Sequence, residues 1–125
     1  MIRYATITRR FQFDSAHLLP LHKGKCCRLH GHTYTLEISI EGRVNAEGMV
    51  MDFGDLKTKV KELIIDRYDH EYLNELGPFT DIPPTAENIA MIIYDTLCAN
   101  GLPISHLRLY ETPDSWVDYK GGFQR

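Results

Sequence analysis

The sequence predicts an α+β domain in which a mostly antiparallel, four-stranded sheet carries two helices packed on one face. Three observations support this: strand-like alternation in the first third of the chain, two helix-period stretches in the middle, and alternation again near the end. At 125 residues the chain can bury one real core but not two independent ones, so a single domain over residues 1–125 is expected.

Residues 4 to 16 alternate loosely, with Phe11 and Phe13 on one face and Gln12 and Asp14 on the other, before Pro20 and Gly24 break the pattern. The next strand is clearer. Tyr34, Leu36, Ile38 and Ile40 alternate with Thr35, Glu37, Ser39 and Glu41, which gives one apolar and one wet face. His30 and His32 share the parity of the apolar series if no bulge intervenes. Gly42 to Gly48 reads as a turn region, and "GMVMD" as a short returning strand.

Asp52 can cap a helix whose apolar stripe is Phe53, Leu56, Val60, Leu63 and Ile64, running to about Arg67. A loop with Gly77, Pro78, Pro83 and Pro84 leads to a second helix. Thr85 is a good cap for it, Ile89, Ile92, Ile93 and Leu97 form its buried face, and Asn100-Gly101 ends it. Cys98, on this apolar helix, reads as core. "HLRLYE" then alternates, and "WVDY" is its partner strand across the Thr112-Pro113-Asp114-Ser115 turn.

Composition narrows the functional classes. Hydrophobic residues make up 43% and charged residues 25%, as in an ordinary soluble globular protein. With a net charge of −3 there is no overall footprint for nucleic acid, so an anionic ligand needs a local basic pocket. The start, "MIRYATITRR", mixes polar and charged residues where a signal peptide would need an apolar run, and no segment approaches the apolar length of a membrane span. Three cysteines, two of them adjacent, make a poor disulfide framework; the expectation is a reducing cytoplasm with free thiols.

The stretch "KCCRLHGHTY" concentrates the chemistry. In a strand, residues two apart point the same way, so His30 and His32 can present both imidazoles to one point, with Gly31 relieving crowding between them. His17, closing the "FDSAH" strand, is the natural third donor if the first two strands pair. Three neutral imidazoles suit Zn²⁺ and leave the fourth tetrahedral position open. A lone His-x-His more often satisfies buried backbone groups. A structural zinc knot, however, would want four ligands with Cys-x-x-Cys spacing, which is absent here. An open catalytic site is therefore favoured over a closed one. Cys26, four residues before His30, is close enough to face the metal, and Lys25, Arg28 and a cation nearby would lower its thiol pKa; the bland alternative is a small buried hydrophobe. Asp69 and His70, just past the first helix, read either as a solvated helix end or as a carboxylate-held imidazole of a proton relay.

The motifs "FDSAH", "KC" followed by "LHGHTY", "MDFGDLK", "DHEYLN", "PTAENIA" and "ET" run in order from residue 11 to 112. Together they resemble the 6-pyruvoyl-tetrahydropterin synthase superfamily, most closely its bacterial and archaeal 6-carboxy-tetrahydropterin synthase branch of the queuosine pathway. The Cys26 to His32 interval is similar to that branch. Two departures stand out: Cys27 adds a second thiol beside Cys26, and Tyr68 replaces the usual leucine before Asp69-His70. The resemblance implies the T-fold, and Zn²⁺ held by His17, His30 and His32. Cys26 would be the proton acceptor with Asp69 and His70 as relay; Glu111 would anchor the pterin, and Thr85 would touch it. It further implies a lyase acting on 7,8-dihydroneopterin triphosphate, with Lys23, Lys25, Arg28 and Arg9 as candidates for the triphosphate, and a homo-oligomer of trimers or hexamers with active sites between protomers. The rival readings are a pyruvoyl-type product, a non-catalytic zinc-binding module on the same scaffold and, last, a nucleic-acid-binding zinc protein, against which the charge balance argues.

Overall fold

The computed structural model describes residues 1–19 and 29–122. Strand β1 (Tyr4–His17) pairs antiparallel with β2 (His30–Arg43) without a register break. β2 pairs with β4 (His106–Thr112), and β4 with β5 (Ser115–Tyr119) through the expected hairpin. These are the four antiparallel strands anticipated from the alternation. A fifth, β3 (Glu71–Tyr72), runs parallel to β1 at Ser15 and Ala16, giving the order β3-β1-β2-β4-β5. Two residues carry too little periodicity to be seen in sequence.

Helix α1 (Phe53–Val60) begins at Asp52, whose Oδ2 accepts from the Asp55 N–H at 3.1 Å. It continues through one π-type turn (Lys61–Ile65) and closes at Asp66–Tyr68, one residue beyond expectation. Leu56, Val60 and Ile64 are buried as the stripe requires, whereas Phe53 at its start is half exposed. A 3₁₀ turn (Leu73–Glu75) follows β3. Helix α2 (Ala86–Ala99) is capped by Thr85, whose Oγ1 accepts from the Asn88 N–H. It ends at Asn100, with Gly101 at φ +85°.

One core forms where the helices meet the sheet. Tyr34, Leu36, Ile38 and Ile40 of β2, Phe13 of β1 and Leu107 and Leu109 of β4 close against Leu56, Val60, Ile64, Ile89, Ile93 and Leu97. Burying a side chain of this size contributes on the order of 1.5–3 kcal/mol, which fixes which face of β1 and β2 looks inward.

Three expectations are corrected. "GMVMD" forms turns and bends rather than a strand: Asn45 caps this loop, its Oδ1 accepting from the Glu47 and Met49 N–H groups. Cys98 is exposed, because the buried face of α2 uses Ile89, Ala90, Ile93 and Leu97 and turns position 98 away. Gly31 is not needed to relieve crowding among the described residues, where a Cβ would meet Ser15 O at 3.7 Å, an ordinary contact.

Candidate metal centre and active site

The inward face of the β1–β2 pair changes character at one end. In register order the cross-strand pairs run Ile7–Ile40, Arg9–Ile38, Phe11–Leu36, Phe13–Tyr34, Ser15–His32 and His17–His30. The same alternation that builds the core thus delivers three imidazoles where the core stops, and His17 stands directly opposite His30. His17 Nε2 and His30 Nε2 are 3.1 Å apart, and one ring nitrogen from each of His17, His30 and His32 lies within 4.8 Å of the others.

His17 is fully buried, and burial, aided by its two imidazole neighbours, lowers its pKa to about 4. His32 is also shifted down by burial, against the opposing pull of Glu111. His32 Nε2 is buried with no hydrogen-bond partner among the described residues; Glu111 Oε1, at 3.8 Å, is beyond bonding distance. A buried donor or acceptor left unsatisfied costs about 1–3 kcal/mol, so it marks a place built for something else. The donor set fits Zn²⁺: imidazoles are among its preferred ligands, and tetrahedral geometry at about 2.0–2.1 Å per bond separates nitrogens by about 3.3–3.4 Å. Keeping His17 and His32 unprotonated leaves their lone pairs for a cation.

Two hollows flank the cluster. A cleft of about 490 Å³ is lined by Asp14, Ser15, Ala16, Gly31, His32, Thr33, His70, Glu71 and Tyr72. The other, about 420 Å³, includes Thr85, Glu111, Ser115 and Trp116 in its wall. Glu111, in the wall of this second hollow, stands 3.8 Å from Nε2 of His32, which lines the first.

His70 lines the first cleft with Asp69 bonded to it, where the loop after α1 is strapped to β1. His70 Nδ1 is 3.0 Å from Asp69 Oδ2, while Asp69 Oδ1 accepts from the Asp14 N–H at 2.8 Å. The Asp14 N–H and His70 together hold the Asp69 carboxyl below the usual carboxylate range. His70 adopts φ 61°, in the left-handed region an imidazole rarely occupies, and its N–H donates to Asp14 O. Ser15 Oγ donates to Tyr68 O, and Asn74 grips Leu18 twice: its Oδ1 accepts from the Leu18 N–H and its Nδ2 donates to Leu18 O, both at 2.8 Å.

The structure therefore brings together His17, His30 and His32, pairs Asp69 with His70, and places Glu111 and Thr85 in one hollow. Cys26, Cys27, Lys23, Lys25 and Arg28 lie outside the described residues. Arg9 lines neither hollow; its Nη1 donates to Phe53 O at 3.0 Å. Sequence reasoning missed Asp14, Asn74 and Tyr34. The first two are backbone-bonding residues that only the strap at β3 makes relevant. Tyr34 is visible as the next residue of the His30, His32 parity, but its apolar ring reads as core.

The family model "6-pyruvoyl tetrahydropterin synthase" matches residues 6–122, and the chain belongs to this family. It is 41% identical to a 6-carboxy-5,6,7,8-tetrahydropterin synthase of Haemophilus influenzae, over 91% of this chain and 97% of that protein. It is 35% identical to a 6-pyruvoyl tetrahydrobiopterin synthase of Dictyostelium discoideum, over 97% of this chain and 99% of that one. The solved 6-pyruvoyl tetrahydropterin synthase of Caenorhabditis elegans superposes with a TM-score of 0.88 at 29% identity, covering 96% of this chain and 97% of that chain. The fold is thus the T-fold anticipated from the motifs.

Proposed function

We propose that the chain is a zinc-dependent lyase with 6-carboxy-5,6,7,8-tetrahydropterin synthase activity, taking 7,8-dihydroneopterin triphosphate and water to 6-carboxytetrahydropterin, acetaldehyde and triphosphate in queuosine formation. The observation that carries this reading is the convergence of His17, His30 and His32, with His32 lining the same cleft as His70 and standing 3.8 Å from Glu111. The 41% identity to a relative named for that activity favours this branch.

His17, His30 and His32 would hold the ion, which when bound supplies Lewis acidity toward the side-chain hydroxyls of the substrate. Glu111 binds the pterin: a carboxylate accepts two N–H bonds from an aminopyrimidinone edge as it does from an arginine fork. Thr85, whose Oγ1 already accepts from the Asn88 N–H, keeps its hydroxyl proton to donate into the same hollow. Cys26, on the segment between His17 and His30 in sequence, takes a side-chain proton as thiolate. Asp69 stays ionised at neutral pH and holds His70 Nδ1–H, which leaves the other ring nitrogen of His70 to move a proton at the cleft. The pterin ring is reduced at the expense of its own side chain, so no nicotinamide is consumed.

The chain is also proposed to act as a homo-oligomer, trimeric or hexameric. In support, the outer edge of β1 from Tyr4 to Asp14 pairs with no strand among the described residues, an edge that association would cover.

Incubation with 7,8-dihydroneopterin triphosphate and mass analysis of the product, with and without chelator, tests the reading. Acetaldehyde and a C6 carboxylate are expected, and both should disappear with the chelator. A retained three-carbon side chain would instead give the pyruvoyl-type activity, which the Dictyostelium relative keeps as the second reading. Zinc binding without turnover of this substrate would leave a non-catalytic module.

A further inference from the structure

Tyr34 is fully buried, and its ring stacks on Phe13 with centroids 5.0 Å apart and planes 16° apart. That packing alone asks only for an aromatic ring, and phenylalanine would serve. The hydroxyl asks for more, because a phenol buried in a core needs a polar partner. It lies 2.7 Å from His17 Nδ1.

The two nitrogens of His17 consequently face different neighbours. Nε2 looks into the histidine cluster, 3.1 Å from His30 Nε2, and Nδ1 looks back at the Tyr34 hydroxyl. An imidazole ligand works as one tautomer only, with the proton on the nitrogen turned away from the metal, and the group bonded to that nitrogen fixes both tautomer and ring angle. Asp69 does this for His70; among the described residues no carboxylate reaches His17, which is fully buried. The period-two geometry of β2 puts Tyr34 on the same face as His30 and His32, so one strand supplies two donors and the support of the third.

We infer that Tyr34 is a positioning residue that holds His17 as the Nδ1–H tautomer and leaves its Nε2 lone pair for a divalent cation such as Zn²⁺. This rests on the metal reading above and assigns Tyr34 a role separable from that of the three histidines.

The test uses the full chain with Tyr34→Phe, which keeps the ring on Phe13 and removes only the hydroxyl. Long-range ¹H–¹⁵N correlation of the metal-free wild type is expected to show His17 protonated at Nδ1, and the variant to lose that preference. Zinc Kd, read by chelator competition, should rise about 10–100-fold in the variant, the usual cost of removing a ligand's supporting hydrogen bond. Ile93→Val, a core control, should lower Tm and leave zinc Kd within about twofold, so that a merely structural effect is separated. If Tyr34→Phe binds zinc as tightly as wild type while His17→Ala does not, the role of Tyr34 is refuted and the metal site stands. If His17→Ala also binds normally, the metal reading falls and this inference with it. Should Tyr34→Phe fail to fold, the wild-type spectrum still decides: a proton on His17 Nε2 overturns the proposal.

Discussion

Two histidine-bearing clusters on this sheet show how differently the same side chain can be used. On β4 and β5, His106 Nε2 lies 2.8 Å from Asp118 Oδ1, and Arg108 Nε donates to the same oxygen at 2.8 Å. The Arg108 guanidinium lies over the Trp116 ring at 4.9 Å, and its hydrogen bonds hold the Asp118 carboxyl below the usual range. That cluster is electrically complete and open to water. At the end of β1 and β2 the arrangement is inverted: His17 and His32 are kept uncharged by burial, and His32 Nε2 has no hydrogen-bond partner among the described residues. An imidazole already bonded to a carboxylate at the surface needs nothing further, whereas three imidazoles gathered at a buried sheet end can hold a cation.

The sharpest way to break this contrast is to remove a donor. His30→Ala or His32→Ala should weaken zinc binding by at least about 100-fold and abolish turnover, measured by metal content after dialysis and by product formation, since each ligand carries a large share of the site's affinity. His106→Ala should leave both unchanged; zinc loss in that variant would erase the distinction between the clusters. Next in size is His70→Ala, expected to lower kcat by about 10²–10⁴ with zinc content intact, as removal of a general acid–base group does. Glu111→Gln follows. Losing a charge-assisted pair of bonds to the pterin should raise KM by about 10–100-fold while zinc stays bound, read in steady-state kinetics.

Burial also acts on an acid. Tyr68, packed edge-on against Phe13 and Phe79, has its phenol pushed up to about 12 by desolvation. Its folded-state value lies above the unfolded one, so the stability present below about pH 10 is lost as pH rises toward 12, by about 2–3 kcal/mol in total. Denaturant titrations across that window should show a shallower loss for Tyr68→Phe. The smallest effect belongs to the exposed cluster, where Asp118→Asn should barely move Tm, because a solvated ion pair contributes little. A large drop there would show the surface cluster to be structural after all.

The histidine trio was legible because its geometry depends on two local regularities, the period of two in β2 and the antiparallel pairing of neighbouring strands, both written in the alternation of Tyr34 to Ile40. The caps at Asp52 and Thr85 were legible for the same reason, each bonding within three residues of itself. β3 and the Asn74 grip on Leu18 were not, because contacts 56 residues apart leave no periodic trace. Cys98 was misread because hydrophobicity marks a helix as partly buried without saying which residues at its margin turn outward.

The sequence by itself determined which residue types were available and the parity that aims His30, His32 and Tyr34 to one side. Tertiary structure alone decided that Glu111 stands 3.8 Å from His32, and that His70, paired with Asp69, lines a cleft together with His32. The physical reason is range. Backbone geometry repeats every few residues and can be read along the chain, whereas burial, and with it the charge an imidazole can carry, depends on what distant segments exclude from water.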